Sequence, residues 1–122
     1  MRDEVTLVVP AQEDFHHIAH LVVGGLGARL ELTYEQLEDL QVALEALLPR
    51  RDDEGELTIG IALDDGSVQT TVGPFEGRAL AELDGDGNHL GLRRVLETVS
   101  DTFEVDERDG GCWVTLGKRI EG

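Results

Sequence analysis

Three histidines lie close together near the start of the sequence. His16, His17 and His20 fall in a segment whose apolar residues recur at helical spacing, so His16 and His20 share one helix face. A zinc site needs three or four ligands, and Glu13 and His89 are the conceivable additions. Nothing in the spacing requires either of them. A metal site therefore stays open as an alternative, while a solvated helix face is the interpretation we favour.

An acidic turn is the second candidate for metal binding. The sequence Asp-Gly-Asp-Gly-Asn, from Asp84 to Asn88, begins like a calcium-binding loop. His89 and Val95 then stand where an EF-hand requires glycine and glutamate, so an EF-hand is excluded. An irregular calcium site remains an alternative to a flexible acidic turn, which we favour. The single cysteine, Cys112, alternates inward with apolar neighbours and reads as an inert core residue.

Composition limits the classes of function. The chain has 122 residues and a formal net charge of −16, which fits one acidic domain covering residues 1–122. Nucleic-acid binding and docking on anionic membranes are both disfavoured, since each needs a basic surface. No apolar run approaches the roughly 20 residues of a spanning helix. With one cysteine and no such run, we expect a cytoplasmic protein.

Hydrophobic periodicity predicts the element order β-α-α-β-β-α-β-β. The expected fold is α+β, a two-layer α/β sandwich with a mixed, mostly antiparallel sheet of about five strands and three helices on one face. Thr33 and Gln36 predict a capping box at the start of the second helix. Gly73–Pro74 is expected to end the third strand, with residues 75–89 irregular. The predicted core comprises Leu37, Leu40, Leu44, Ile59, Ile61, Val95, Phe103 and Val114.

Three segments together resemble one protein family. Residues 32–48, LTYEQLEDLQVALEALL, look like the second helix of the anti-sigma-factor serine kinases. Residues 89–120 resemble that family's last motif, helix and closing hairpin, and residues 5–23 fit its first strand and helix. These kinases belong to the GHKL superfamily, which shares the Bergerat ATP-binding fold with histidine kinases. The resemblance implies this fold, homodimers, and a sigma factor or an anti-sigma-factor antagonist as partner.

The family's first nucleotide motif is altered in this sequence. Active members carry a general-base Glu on the second helix and, four residues later, an Asn that ligates Mg²⁺. The alignment places Ala46 and Arg50 at these positions, and a one-residue slip places Glu45 and Pro49 there. Asn88, far from this helix, is the only asparagine in the chain. The magnesium-ligating Asn is therefore missing in every register.

The other two motifs are altered as well. The family's Asp-x-Gly-x-Gly, whose Asp receives the adenine amino group, aligns with residues 73–77, so that Gly73 replaces the Asp and Gly77 keeps the last glycine. The family's Gly-x-Gly-Leu aligns with residues 89–92. There His89 replaces the first glycine and Gly91 keeps the second. The resemblance thus implies a nucleotide site that is degenerate at all three motifs.

Three functions follow as hypotheses. We favour a regulatory domain that acts by protein contact in sigma-factor or partner-switch regulation, is not an enzyme, and uses no cofactor. The first alternative is an active serine kinase that uses ATP and Mg²⁺ to phosphorylate an anti-sigma-factor antagonist. The second is a small-ligand sensor on the same fold.

Overall fold

The predicted order of strands and helices is confirmed by the fold. The computed structural model describes residues 3–29, 32–48, 55–64, 66–76, 92–108 and 110–119. Its elements are β1 (Asp3–Pro10), a single 3₁₀ turn (Glu13–Phe15), α1 (His16–Arg29), α2 (Tyr34–Leu47), β2 (Glu56–Asp64), β3 (Ser67–Phe75), α3 (Leu92–Val99), β4 (Thr102–Arg108) and β5 (Gly111–Arg119). Within these ranges, no helix is long and apolar enough to cross a membrane.

The five strands form one sheet in the order β1-β2-β3-β5-β4. The sequence predicts a mixed, mostly antiparallel sheet, whereas all four strand pairings in the structure are antiparallel. The described helices cover one face of the sheet, as predicted, and none of them lies on the other, outer face. β1 and β4 are the two edge strands.

One hydrophobic core fills the space between helices and sheet. Alternate residues of the central strands point into it, including the fully buried Ile59 and Val72, and Leu44 of α2 meets them from the helix layer. The prediction is confirmed for the buried residues Leu40, Leu44, Ile59, Ile61 and Val114. Leu37 and Phe103 are only half-buried and pack against the core from its edge, whereas the prediction is wrong for Val95, which is half-buried and not part of the core. Leu37 lies in the first turn of α2, and Phe103 is on an edge strand that fewer elements cover.

The start of α2 is fixed by the capping box that the sequence predicts. The Thr33 hydroxyl oxygen accepts a hydrogen bond from the backbone N–H of Gln36 at 3.1 Å. The backbone N–H of Thr33 donates in turn to Oε1 of Gln36 at 2.9 Å. Two otherwise free backbone donors are thereby satisfied, which sets the N-terminus of α2 at this point.

α1 runs through three glycines that disfavour a helix. A side-chain carbon at Gly27 would lie 2.5 Å from Cδ1 of Leu37, and one at Gly24 would lie 3.2 Å from Nε2 of Gln41. Both of these neighbours belong to α2. The absence of side chains at Gly24 and Gly27 therefore lets the two helices approach closely, and this packing offsets the low helix propensity of glycine.

β3 continues past the point where the sequence analysis ends it. The strand extends to Phe75, which pairs with Cys112 of β5 and is 2% exposed. The Gly73–Pro74 peptide bond is cis, and the pairing register shifts between Val72 and Phe75. The predicted break at Gly73–Pro74 is wrong because proline, which has no N–H to donate, is tolerated in a strand at such an irregularity.

Candidate functional site

The C-terminal half of α2 is where the resemblance places the catalytic residues. Ala46 is half-buried and packs against the hydrophobic core. The residues that follow it, Leu47 and Leu48, are buried in that core together with Phe75 of β3 and Leu96 of α3. This part of α2 thus contributes apolar surface to the junction of helix layer and sheet.

Glu45, the alternative general base, contacts α1. Its Oε1 lies 3.3 Å from Nδ1 of His20, and the Glu45 side chain is 65% exposed. Gln41, one turn earlier on α2, donates from Nε2 to the backbone carbonyl of His20 at 3.4 Å. Glu45 and Gln41 therefore hold α2 against α1 through the same residue.

Gly73 lies on the outer face of the sheet, away from the helices. A side-chain carbon at Gly73 would stand 2.7 to 3.0 Å from three atoms of the Trp113 indole. Trp113 alternates along β5 with Val114, which is fully buried on the helix-facing side. A carboxylate at position 73 would consequently face the indole and not the cleft between sheet and helices.

A second contact of the same kind lies beside the first. A side-chain carbon at Gly111 would stand 2.6 Å from Cβ of Pro74. The end of β3 and the start of β5 are therefore interlocked, with Trp113 over Gly73 and Pro74 over Gly111. The Arg108 guanidinium carbon lies 5.3 Å from the centroid of the Trp113 ring, within range of a cation–π interaction.

The three histidines of α1 have different surroundings. His20 contacts Glu45, His17 is exposed, and Nε2 of His16 is buried without a hydrogen-bond partner. In the described part of the chain, no group of three or more His, Cys, Asp or Glu side chains is arranged to hold a metal ion. Glu13 takes part in the 3₁₀ turn that precedes α1.

The remaining predicted positions cannot be placed on this fold. Arg50, Gly77, His89 and Gly91 lie outside the described residues, as does the acidic turn from Asp84 to Asn88. The two nucleotide-motif positions that are described, Ala46 and Gly73, lie on different sides of the sheet. Ala46 packs with the helix layer, whereas Gly73 underlies Trp113.

Two concave regions lie elsewhere on the fold. A narrow cleft of about 20 Å³ opens under the N-terminal half of α2, where Nζ of Lys118 lies 3.0 Å from Oδ2 of Asp39. A larger groove of about 200 Å³ follows the outer face of the sheet, with Gly60 and Ala62 along its length and Trp113 and Arg108 among its lining residues.

Sequence reasoning did not single out Trp113, Arg108, Asp39 or Lys118. The alternation of β5 does place position 113 on the face opposite Val114. Its contact with Gly73 depends on the pairing of β3 with β5, which no local sequence pattern predicts. The Asp39–Lys118 ion pair joins α2 to β5 and is likewise a product of the tertiary fold.

Curated proteins that align with 98% of this chain carry one name, serine-protein kinase RsbW. No protein-family model matches the sequence. The serine-protein kinase RsbW of Listeria monocytogenes serotype 4a is 27% identical, in an alignment covering 98% of this chain and 89% of the relative. The serine-protein kinase RsbW of Bacillus subtilis is 25% identical, with 98% and 88% covered. The chain is a relative of the RsbW serine-protein kinases.

The fold agrees with this relationship. The crystal structure of the RsbU and RsbW domains of Rv1364c from Mycobacterium tuberculosis superposes with a TM-score of 0.69 and 16% identity. The match covers 97% of this chain and 32% of that longer one. The resemblance to anti-sigma-factor serine kinases, and the fold that it implies, are therefore confirmed for this RsbW relative.

Proposed function

We propose that this RsbW relative is a regulatory domain that acts by protein–protein contact and neither binds ATP–Mg²⁺ tightly nor transfers phosphate. One observation carries the proposal. α2, Tyr34–Leu47, contains no asparagine, and Asn88 is the only asparagine in the whole sequence. The Mg²⁺ ligand that the family places on this helix has no counterpart here. Mg²⁺ depends on oxygen ligands at short, nearly octahedral distances, which neither Pro49 nor Arg50 supplies.

The surroundings of the two candidate general bases support the proposal. Ala46 has only a methyl group, which cannot accept a proton and which packs on the core. Glu45 does have a carboxylate, but it lies beside His20 and joins α2 to α1. Its contact with His20 gives Glu45 a structural role that does not require nucleotide.

The charge of the chain supports a protein partner with a basic surface. The net charge of −16 attracts such a partner over several ångströms and repels the polyanion ATP. Glu104, Asp106 and Glu107 are exposed on the edge strand β4. By the family relationship, the partner that we propose is a sigma factor or an anti-sigma-factor antagonist.

Binding to each candidate partner, with and without ATP–Mg²⁺, tests this function. The chain is mixed with each purified sigma factor and each anti-sigma-factor antagonist of its source organism, and complexes are detected by size-exclusion chromatography. We expect a complex whose amount does not depend on ATP–Mg²⁺, and no labelled phosphate on the partner when radiolabelled ATP is present. The B. subtilis relative serves as the control for phosphate transfer. Transfer by this chain, or no complex with any candidate, would overturn the proposal.

A serine kinase is the second candidate function. The relatives favour it, since the Listeria and Bacillus proteins are serine-protein kinases that align with 98% of this chain. In this case Glu45 is the general base that the slipped alignment provides. Glu45→Gln would then abolish phosphate transfer, whereas Glu38→Gln, an exposed position on the same helix, would leave it unchanged.

A further inference from the structure

The edge strand β4 has a regular backbone and little cover. Within the described part of the chain it pairs only with β5, in one unbroken register from Thr102 to Arg108. All of its residues except Phe103 are exposed. The N–H and C=O groups on the far side of an edge strand are free to pair with another strand, and a regular strand is a better template than a bulged one.

The two faces of β4 differ in chemistry. Asp106 pairs with Trp113 and therefore lies on the outer face of the sheet, and Glu104, two positions away, shares that face. Val105 pairs with the buried Val114 on the face toward the helices, yet Val105 itself is 39% exposed. A strand added beside β4 would therefore meet carboxylates on one face and an apolar side chain on the other.

The only basic residue of β4 leaves this edge acidic. The Arg108 guanidinium carbon lies 5.3 Å from the centroid of the Trp113 ring. Trp113 belongs to β5, on the side of β4 away from the open edge, so the charge of Arg108 is held over the sheet. Glu107 adds a third exposed carboxylate to Glu104 and Asp106. The charge beside the open edge is thus negative.

The same carboxylates disfavour a second copy of this chain at the edge. A second β4 would bring its own Glu104 and Asp106 against the first pair, and like charges opposite each other destabilise paired strands. Charged side chains protect many edge strands against self-association. Here all the exposed charges along the edge are of one sign except Arg108, so the edge also selects a strand of opposite charge.

We propose that the open edge of β4 binds an extended segment of a partner protein as an additional strand, and that this segment alternates basic with apolar residues. Its lysines or arginines lie beside Glu104 and Asp106 on the outer face. Its apolar residues lie beside Val105 on the helix-facing side. Backbone hydrogen bonds to β4 hold the segment, and the alternation of its side chains determines which segments bind.

A pair of synthetic peptides tests the predicted pattern. The first peptide is Lys-Val-Lys-Val-Lys-Val-Lys, and the second has the same composition with its four lysines first and its three valines last. Both carry the same charge, so attraction to the acidic chain alone does not distinguish them. We expect the alternating peptide to bind about tenfold more tightly in fluorescence anisotropy. No binding of the alternating peptide, or equal binding of both, would overturn the proposal.

Charge reversal on β4 locates the binding surface. Glu104→Lys should weaken binding of the alternating peptide about tenfold. Glu38→Lys is the matched control, because it makes the same change of charge at an exposed position of α2. It should leave binding nearly unchanged. Equal weakening by the two substitutions would show that the peptide responds only to net charge, and would overturn the proposal.

Hydrogen exchange in the native protein tests the backbone contact without a variant. A strand added at the edge takes up outward N–H groups of β4, so the exchange of these amides should slow when the alternating peptide is saturating. The other edge strand, β1, is the internal control and should be unaffected. Unchanged exchange in β4, or protection of β1 in its place, would contradict the addition of a strand to β4.

This inference rests on the proposed function, since it names the surface that a basic partner contacts, but the two can fail separately. A sigma factor or antagonist that binds the native chain and Glu104→Lys equally well would overturn the role of β4 and leave the proposed function standing. An alternating peptide that binds at β4, with no complex formed by any candidate partner, would overturn the proposed function and support β4 as the docking edge.

Discussion

At the scale of single residues, Gly73 has two competing explanations. In the family alignment, Gly73 stands where active members have the Asp that receives the adenine amino group, so this explanation treats the glycine as the loss of that contact. In the fold it is the space that allows the Trp113 indole to pack closely on β3, and neighbouring Pro74 and Gly111 show the same complementarity. The second explanation makes glycine necessary whatever the protein binds. Replacing Gly73 separates the two, since only the first explanation predicts that a carboxylate restores function.

We therefore expect Gly73→Asp to lower stability without creating ATP binding. A side-chain carbon would collide with a rigid ring, and overpacking of this kind costs about 1–3 kcal/mol. Gly73→Ala should lose a similar amount, and Trp113→Leu in the same chain should recover part of it, because the indole is what collides. Urea denaturation measures all three effects. Unchanged stability of Gly73→Ala would show that the indole does not pack on this position.

At the scale of elements, local sequence signals predict the start of α2 correctly but not the end of β3. The Thr33–Gln36 capping box is entirely local, and the sequence predicts it correctly. Glycine disfavours a helix, yet α1 continues through its glycines to Arg29, with α2 packed on Gly24 and Gly27. The end of β3 is missed for a similar reason, since its pairing with β5 carries the strand beyond Pro74. Tertiary packing overrode local propensity in both cases.

Removal of the Thr33 side-chain oxygen should destabilise the protein by about 1 kcal/mol. Thr33→Ala leaves the backbone N–H of Gln36 without its partner at the start of α2. Thr98→Ala is the control, because the Thr98 hydroxyl donates to the Arg94 carbonyl inside α3 and caps no helix end. The urea midpoint of unfolding reports both variants. Equal loss from the two substitutions would contradict the role of the capping box.

The glycines of α1 should respond differently to alanine. Gly25→Ala should stabilise by up to about 1 kcal/mol, because alanine favours the helix and its methyl group meets open space. Gly27→Ala should gain nothing, since its methyl group pushes Leu37 away from α1. Thermal unfolding compares the two. A Gly27→Ala variant as stable as Gly25→Ala would show that α2 does not need the close approach.

At the scale of the whole molecule, the sequence is sufficient for the fold but not for the candidate site. Alternation and two hairpins predict the element order, and the resemblance predicts how the elements assemble. The pairing of β3 with β5 joins residues that are distant in sequence, such as Thr71 and Thr115, which are 44 positions apart, and places Trp113 on Gly73. No periodicity within a strand indicates which strand lies beside it. The sequence alignment could thus identify the motif positions, but it could not predict which face of the sheet each of them lies on.

Calorimetric titration of the chain with ATP–Mg²⁺ tests the central claim, that this RsbW relative has kept the fold and lost the nucleotide chemistry. The asparagine missing from α2 and the methyl group of Ala46 predict no ATP affinity tighter than about 1 mM. We accordingly expect no heat of binding, and no rise in melting temperature with added nucleotide. A micromolar Kd for ATP–Mg²⁺ would contradict the claim. Nucleotide at 100 times such a Kd would also stabilise the protein by about 2.7 kcal/mol and raise its melting temperature. That result would favour the serine kinase.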